Sequence, residues 1–512
     1  MRIFSSFHLY NSFCIYIKLT LLTIELFSSH KSFKLNLACF FNKMKVLLIA
    51  PNYLKVYSYV SEEATMILPP LGLAYIAGHL RANGIEVQVL DLAALRYQDD
   101  LARVAIQKSG ADIVAMAATT NTVMEAYNLA KITKEVLPHA RVAVGGPHPT
   151  MEPVRTLKEC AALDYCIISE AEETMLELAQ ERAVAEIMGL SYRDTNGTVV
   201  VTQPRPLIQN LDKLAFPARD LLPLTKYWTP GVRRYPFATM MTSRGCPYSC
   251  TFCSNFRTQG KQFRYRSAEN VLAEIDELVN KYGVKEINII DDNFTFMPGR
   301  VKEICDLLIE RNYDVILKTG NGIRADRVNL PMLRHMKKAG FYLVAFGIES
   351  GNPEILKKMR KGETREQIKQ AVGWAKQAGL ITEGFFMFGN EGEGEKEMRE
   401  TIEFAKELDL NIAQFQVYTP VPGSPLYEKI ARDGKVFSQK WEDFNAFNEP
   451  LFEYGESKFD LMMKMQQTAY REYYFRPRMI LKKFLEVRNL KQFNSFVKAG
   501  MAVAKMSVGK AT

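Results

Sequence analysis

Residues 242–253 read Thr-Ser-Arg-Gly-Cys-Pro-Tyr-Ser-Cys-Thr-Phe-Cys, which puts Cys246, Cys250 and Cys253 in a C-x3-C-x2-C run just after a short apolar, strand-like segment. Thiolates are soft ligands suited to iron-sulfur clusters or zinc, and close spacing on one loop lets several sulfurs meet one inorganic centre. Three is the informative number. A closed cluster or a structural zinc asks for four protein ligands, whereas three leave one position for something that reacts. With 8 cysteines in 512 residues, chance gives this spacing only about 0.002 times per chain. A structural zinc needs a fourth ligand close by, and the nearest downstream, Cys305 and His335, form no knuckle-like pair. The spacing therefore points to a redox or catalytic [4Fe-4S] cluster on Cys246, Cys250 and Cys253.

The run resembles the cluster loop of radical S-adenosylmethionine (SAM) enzymes. That resemblance implies that the fourth iron takes the amino and carboxylate groups of SAM, and that reductive cleavage releases a 5'-deoxyadenosyl radical. Phe252 matches the aromatic position that borders the adenine. Asp291-Asp292-Asn293, Gly322-Ile323-Arg324-Ala325-Asp326 and Gly347-Ile348-Glu349-Ser350-Gly351 follow successive strand-like segments. A carboxylate such as Glu349 can accept from the ammonium or ribose hydroxyls of SAM, Ser350 can donate to its carboxylate, and Arg324 can pair with that carboxylate bidentately. Asp291 joins them as an expected SAM contact. After the fifth strand the family's Gly-Leu-Pro-Gly-Glu-Thr is replaced by Gly389-Asn390-Glu391-Gly392-Glu393-Gly394.

The elements that must position these residues fall into two halves. From Met44 to about Glu181, strands at Val46–Ala50, Glu86–Asp91, Ile113–Ala118, Arg141–Gly145 and Tyr165–Ser169 alternate with amphipathic helices. The pattern predicts a doubly wound parallel sheet, flavodoxin-like, with ligands at the carboxyl ends of its strands. Thr119, Thr120, Gly145 and Gly146 lie there: hydroxyls can hold a polar edge, and paired glycines permit close approach. Leu48–Pro51, Pro69–Tyr75 and Val144–Pro149 make this half resemble the cobalamin-binding domain placed before many radical SAM enzymes. No D-x-H-x-x-G motif occurs among the six histidines, so the resemblance implies cobalamin held without a histidine axial ligand, and His148 is expected to pack in its loop.

Residues 182–235 read as a linker with a small hairpin around Asn196-Gly197. Six further strands, Ala238–Thr242, Glu286–Asp291, Val315–Gly320, Leu343–Ile348, Glu383–Phe388 and Ala413–Tyr418, alternate with helices over 236–435 and suit a partial (β/α)6 barrel with functional groups at its strand ends. Residues 436–512 form a helical basic tail. Residues 1–43 are expected to be an extension or disordered, with the first strand beginning at Met44.

Composition is that of a globular α/β protein, 47% hydrophobic and 24% charged, and its length exceeds the roughly 250–300 residues of one core. Residues 1–43 carry +4 and 471–512 carry +8, which leaves −3 between them out of a total of +9. A basic stripe on the folded body, expected of a nucleic-acid binder, is therefore missing. The aromatic and cationic stretch Tyr470–Arg478 could touch a membrane surface peripherally or an anionic substrate. Cysteines without a secretory leader point to a reducing, cytoplasmic setting. The expected function is a radical SAM enzyme, a cobalamin-dependent methyltransferase acting on an unactivated carbon of a metabolite. Its partners would be a small-molecule substrate, large and apolar, and a low-potential reductant such as flavodoxin or ferredoxin. The alternatives are a radical SAM oxidative cyclase, such as the anaerobic cyclase of magnesium protoporphyrin monomethyl ester, and, in another class, a non-catalytic Fe-S electron-transfer or sensor protein.

Overall fold

Parallel strands covered by helices on both faces must be apolar on both sides, and Val46 to Ile49 are all buried. The computed structural model describes residues 44–56, 66–229, 231–444, 450–485 and 500–501; the expectations for residues 1–43 and for most of the basic tail beyond residue 485 lie outside them. Five parallel strands, β1 (Lys45–Ala50), β2 (Glu86–Asp91), β3 (Ile113–Ala117), β4 (Arg141–Gly145) and β5 (Tyr165–Ile167), run in the order β2-β1-β3-β4-β5. This order reverses direction between β1 and β3, the switch point beside which such sheets bind ligands. Helices Leu71–Ala82 and Glu172–Ala179 cover one face of the sheet, and Asp99–Ser109 and Val123–Val136 cover the other.

The hairpin expected within the linker joins this sheet. Strands β6 (Leu190–Arg193) and β7 (Val199–Val201) add antiparallel to β5, with Cys166 opposite Ser191. The sheet therefore runs beyond residue 181, because the exposed edge of β5 offers backbone groups that a following hairpin can pair.

The second half contains β8 (Phe237–Met240), a short ribbon of β9 (Ser243–Arg244) and β10 (Arg264–Tyr265), then β11 (Glu286–Ile289), β12 (Ile316–Ile323), β13 (Phe341–Glu349), β14 (Ile381–Phe388) and β15 (Ile412–Val417). Apart from the ribbon these form one parallel sheet in the order β15-β14-β13-β12-β11-β8, the open six-stranded barrel. On β14 and β15 alternate residues are buried under the helices, among them Phe386, Phe388, Phe415 and Val417. Their neighbours Ile381, Glu383, Phe385, Met387, Ile412, Gln414 and Gln416 are half-buried on the opposite face, which lines the lumen.

An open barrel leaves β15 with unpaired backbone groups. The helix Phe459–Tyr474 answers them with side chains: Tyr474 Oη accepts from Ala413 N (3.0 Å) and donates to Ala413 O (2.8 Å). Tyr470 Oη accepts from Phe415 N (3.3 Å) and Gln466 Nε2 donates to Phe415 O (3.0 Å). The aromatic run expected to meet a membrane or an anionic substrate is thus engaged by the barrel edge, and Tyr473 Oη donates to Leu410 O as well (2.7 Å). Among the described residues no helix is long and apolar enough to cross a membrane.

Candidate functional site

Thr242-Ser243-Arg244 leads from β8 into the cysteines. Gly245 turns the chain at φ +83°, where a side chain would be strained and a Cβ would meet Gln262 O at 2.3 Å. Backbone bonds then pin the loop: Cys246 N to Gly260 O (3.2 Å), Thr251 N to Met359 O (3.0 Å) and Leu426 N to Thr251 O (2.8 Å). Cys246, Cys250 and Cys253 are half-exposed, whereas Cys160, Cys166 and Cys305 are fully buried. Burial raises all three loop thiols, Cys253 to about 11, while Lys361 and Arg324 pull Cys246 and Cys250 back toward the thiolate. Asn255 N points at Cys253 Sγ from 3.4 Å, a donor suited to a sulfur that carries charge. Among the described residues no group of three or more His, Cys, Asp or Glu is placed to hold a single metal ion. The ligands of a cubane each bind a different iron and stand farther apart than ligands of one ion. Three open thiols beside two cations, on a pinned loop, fit a cluster with one free corner.

Arg324, just past the end of β12, has its guanidinium over the Tyr248 ring, 3.6 Å from its centroid, and pairs with Asp326 (Nε to Oδ1, 2.8 Å). Tyr248 Oη in turn accepts from Arg327 Nε (2.7 Å). Glu349 ends β13 with φ +67°, a conformation that a residue with a side chain holds only when its surroundings impose it. Burial raises its carboxyl, and Lys361 Nζ stands 3.6 Å away. Phe252 is half-buried against the barrel core, between the second and third cysteines.

Two of the expected SAM contacts are engaged by the protein's own groups. The Asp291 carboxylate is buried and already filled: it accepts from Thr242 N (2.6 Å), Thr242 Oγ1 and Ser243 Oγ (2.6 Å), so it holds the strand entering the cysteines. Asp292, one residue on, is the carboxyl beside the cysteines. Burial raises it to about 6, against hydrogen bonds from Asn255 and the Gly245 amide. Ser350 is fully buried; its hydroxyl pairs with Thr401 Oγ1 (3.2 Å) and accepts from Asn352 N (3.2 Å), so it shapes the turn after β13.

Sequence reasoning also missed Lys361 and Glu363. Lys361 Nζ sits between Glu349 (3.6 Å) and Glu363 (3.4 Å), and those carboxylates outweigh burial to hold its ammonium above the usual range. Neither residue belongs to a strand-end motif, so only the turn that folds them back onto β13 reveals them. Asp292 and Glu349 against Arg324 and Lys361 make a rim with both signs of charge, able to hold a ligand's ammonium and carboxylate together. The altered loop after β14 keeps its shape from within: the Glu393 carboxylate accepts from Gly389 N (2.8 Å) and Asn390 N (2.9 Å).

In the first domain Thr119, Thr120, Gly145 and Gly146 come together at the ends of β3 and β4, next to the switch point. Gly146 is at φ +113° and a Cβ there would strike Ala118 O at 2.7 Å, so only glycine brings the two strand ends this close. Thr119 is exposed, and Gly145 and Gly146 half-exposed, which leaves a ledge of hydroxyl and bare backbone open to a large ligand. His148 touches that ledge only from below, through Thr120. It is buried beneath, as expected of a packing residue, and burial lowers it to about 4.

The two centres are joined directly. Glu170 accepts from Arg244 Nη1 (2.9 Å), Arg264 Nη1 (2.8 Å) and Ile208 N (2.7 Å), and Glu172 accepts from Arg244 Nη2 (2.6 Å). All four charged side chains are buried. Arg244 immediately precedes Gly245-Cys246, so the cysteine loop is clamped to the end of β5.

The profile of the Radical SAM superfamily matches residues 240–405, and that of the B12 binding domain matches residues 57–179. An uncharacterised methyltransferase of Pyrococcus horikoshii is 37% identical over 448 residues, 86% of this chain and 95% of the relative. The anaerobic magnesium-protoporphyrin IX monomethyl ester cyclase of Rubrivivax gelatinosus is 32% identical over 417 residues, 79% of this chain and 72% of that one. Among solved structures, the radical SAM methyltransferase TsrM of Kitasatospora setae, with cobalamin and [4Fe-4S] cluster bound, shares the fold at TM-score 0.62 and 21% identity, over 76% of this chain and 75% of that one. Cysteine loop, two-signed rim, strand-end ledge and these relatives agree: the chain belongs to the radical SAM enzymes that carry a B12-binding domain.

Proposed function

We propose that the protein is a cobalamin-dependent radical SAM methyltransferase acting on an unactivated carbon of a metabolite, in the cytoplasm, with a low-potential reductant such as flavodoxin or ferredoxin. The observation that carries this reading is the buried clamp of Glu170 and Glu172 on Arg244 and Arg264, which fixes the cysteine loop against the domain bearing the ledge. When bound, the cluster supplies the electron that opens SAM, and cobalamin supplies a methyl carrier. Cys246, Cys250 and Cys253 hold the cluster. Asp292 and Glu349 receive the ammonium or ribose hydroxyls of SAM, Arg324 and Lys361 its carboxylate, and Phe252 lies along the adenine. Thr119, Thr120, Gly145 and Gly146 seat cobalamin. Ile381, Phe385, Met387 and Ile412 beside Glu383, Gln414 and Gln416 give the lumen an apolar wall with hydrogen-bonding points, suited to a large apolar substrate with a few polar groups.

Oxidative ring formation is the second reading, favoured by the identity with the cyclase of Rubrivivax gelatinosus. Anaerobically reconstituted protein with dithionite, SAM, hydroxocobalamin and an extract of host metabolites separates the readings. S-adenosylhomocysteine together with 5'-deoxyadenosine is the expected outcome. 5'-Deoxyadenosine alone favours the cyclase chemistry, and neither product overturns both.

A further inference from the structure

Beneath the ledge lies a chain of contacts that begins in a distant part of the sequence. His148 is completely buried two residues after Gly146; its Nδ1 is 3.4 Å from Thr120 Oγ1, and its Nε2 meets no hydrogen-bond partner among the described residues. The imidazole stands edge-on to the indole of Trp441, with ring centroids 4.7 Å apart at 74°. Trp441 follows the sixth barrel unit, 282 residues beyond Glu159, yet Glu159 Oε2 accepts its Nε1–H at 2.9 Å. The Arg155 guanidinium covers the indole from 4.0 Å, and Arg155 Nε also donates to Glu159 (2.6 Å). Phe444 packs on Trp441 at 5.3 Å, and Trp441, Phe444 and Leu451 are buried in the same apolar cluster as Val123, Tyr127 and Leu157 of the first domain. The short turn Trp441–Asp443 lies against Thr120–Thr122.

Packing alone would explain a buried tryptophan. It does not explain why the indole is gripped by hydrogen bond, cation and aromatic edge together, nor why the residue it meets is the one that carries Thr120. We propose that Trp441 is a positioning residue for the cobalamin seat: it holds His148, His148 holds Thr120, and the ledge of Thr119, Thr120, Gly145 and Gly146 keeps its shape only while the indole is docked. The segment around Trp441 thus belongs in function to the B12-binding domain, and it ties the end of the barrel to the place where that domain takes its ligand. The inference rests on the reading that these residues seat cobalamin.

Full-length protein with reconstituted cluster, titrated with hydroxocobalamin and followed by absorbance, tests it, with iron measured in the same samples. Trp441→Ala is expected to bind roughly tenfold more weakly with iron content unchanged, and Trp441→Phe to recover part of the affinity, since it restores an aromatic edge without the bond to Glu159. Equal affinity of wild type and Trp441→Ala overturns the inference alone. Wild type that takes up no hydroxocobalamin overturns the functional reading and this inference with it. Should Trp441→Ala lose iron as well, Arg155→Ala decides: two- to threefold weaker binding, roughly, supports the proposal, and unchanged binding overturns it.

Discussion

At the scale of single residues, adjacent positions in this chain divide their labour by which way they face. Asp291 and Asp292 are chemically identical in sequence, yet one completes the strand into the cysteines and the other looks onto them. The cysteines were legible because their spacing is itself the ligand geometry. The partners of Asp291 and Ser350 were not legible, because a strand-end motif gives position along the chain but not which neighbouring groups the side chain meets. His148 carries a consequence for pH. Burial lowers it to about 4, with Glu159 raising and Arg155 lowering it further, while in the unfolded chain it titrates near 6.5. Between those values the unfolded chain binds a proton that the folded one refuses. The contribution is therefore complete above the unfolded value and is lost as pH falls toward 4, by at most about 3 kcal/mol. Thermal unfolding from pH 7.5 to 5 should show a steeper fall for wild type than for His148→Gln; parallel curves would refute the assignment.

Among elements, the β9–β10 ribbon does more than its four residues suggest. Arg244 and Arg264 face each other in antiparallel register and both reach Glu170. Nothing in a sequence pairs Arg244 with Glu172, 72 residues earlier, whereas the strand alternation that gives both sheets could be read from the apolar periodicity almost to the residue. The hairpin β6–β7 was visible as a hairpin, but its partner β5 was not, since pairing depends on which edge is free. Arg244→Leu leaves the Glu172 carboxylate buried without its cation, a change that costs about 3–5 kcal/mol. Its melting temperature should drop, and Arg244→Leu combined with Glu172→Gln should recover part of the loss. A double variant no more stable than Arg244→Leu would show that the pair is not coupled.

On the scale of the whole molecule, chain order and spatial order diverge. Segments after the sixth barrel unit return in two directions, one to the first domain through Trp441 and one to β15 through the helix Phe459–Tyr474. Aromatic and basic composition alone gave that helix a surface role, because composition does not say which hydroxyl finds a backbone amide. Its tyrosines have a further meaning for solubility. A strand with free amides and carbonyls recruits the matching strand of another copy, so polymerisation is the default fate of an uncovered margin. A protein terminated before Phe459 should form β-rich assemblies that bind thioflavin T, whereas the full chain stays dispersed. In that sense the phenols of residues 470 and 474 act as a permanent chaperone for their own domain, shielding β15 from its copies in neighbouring molecules.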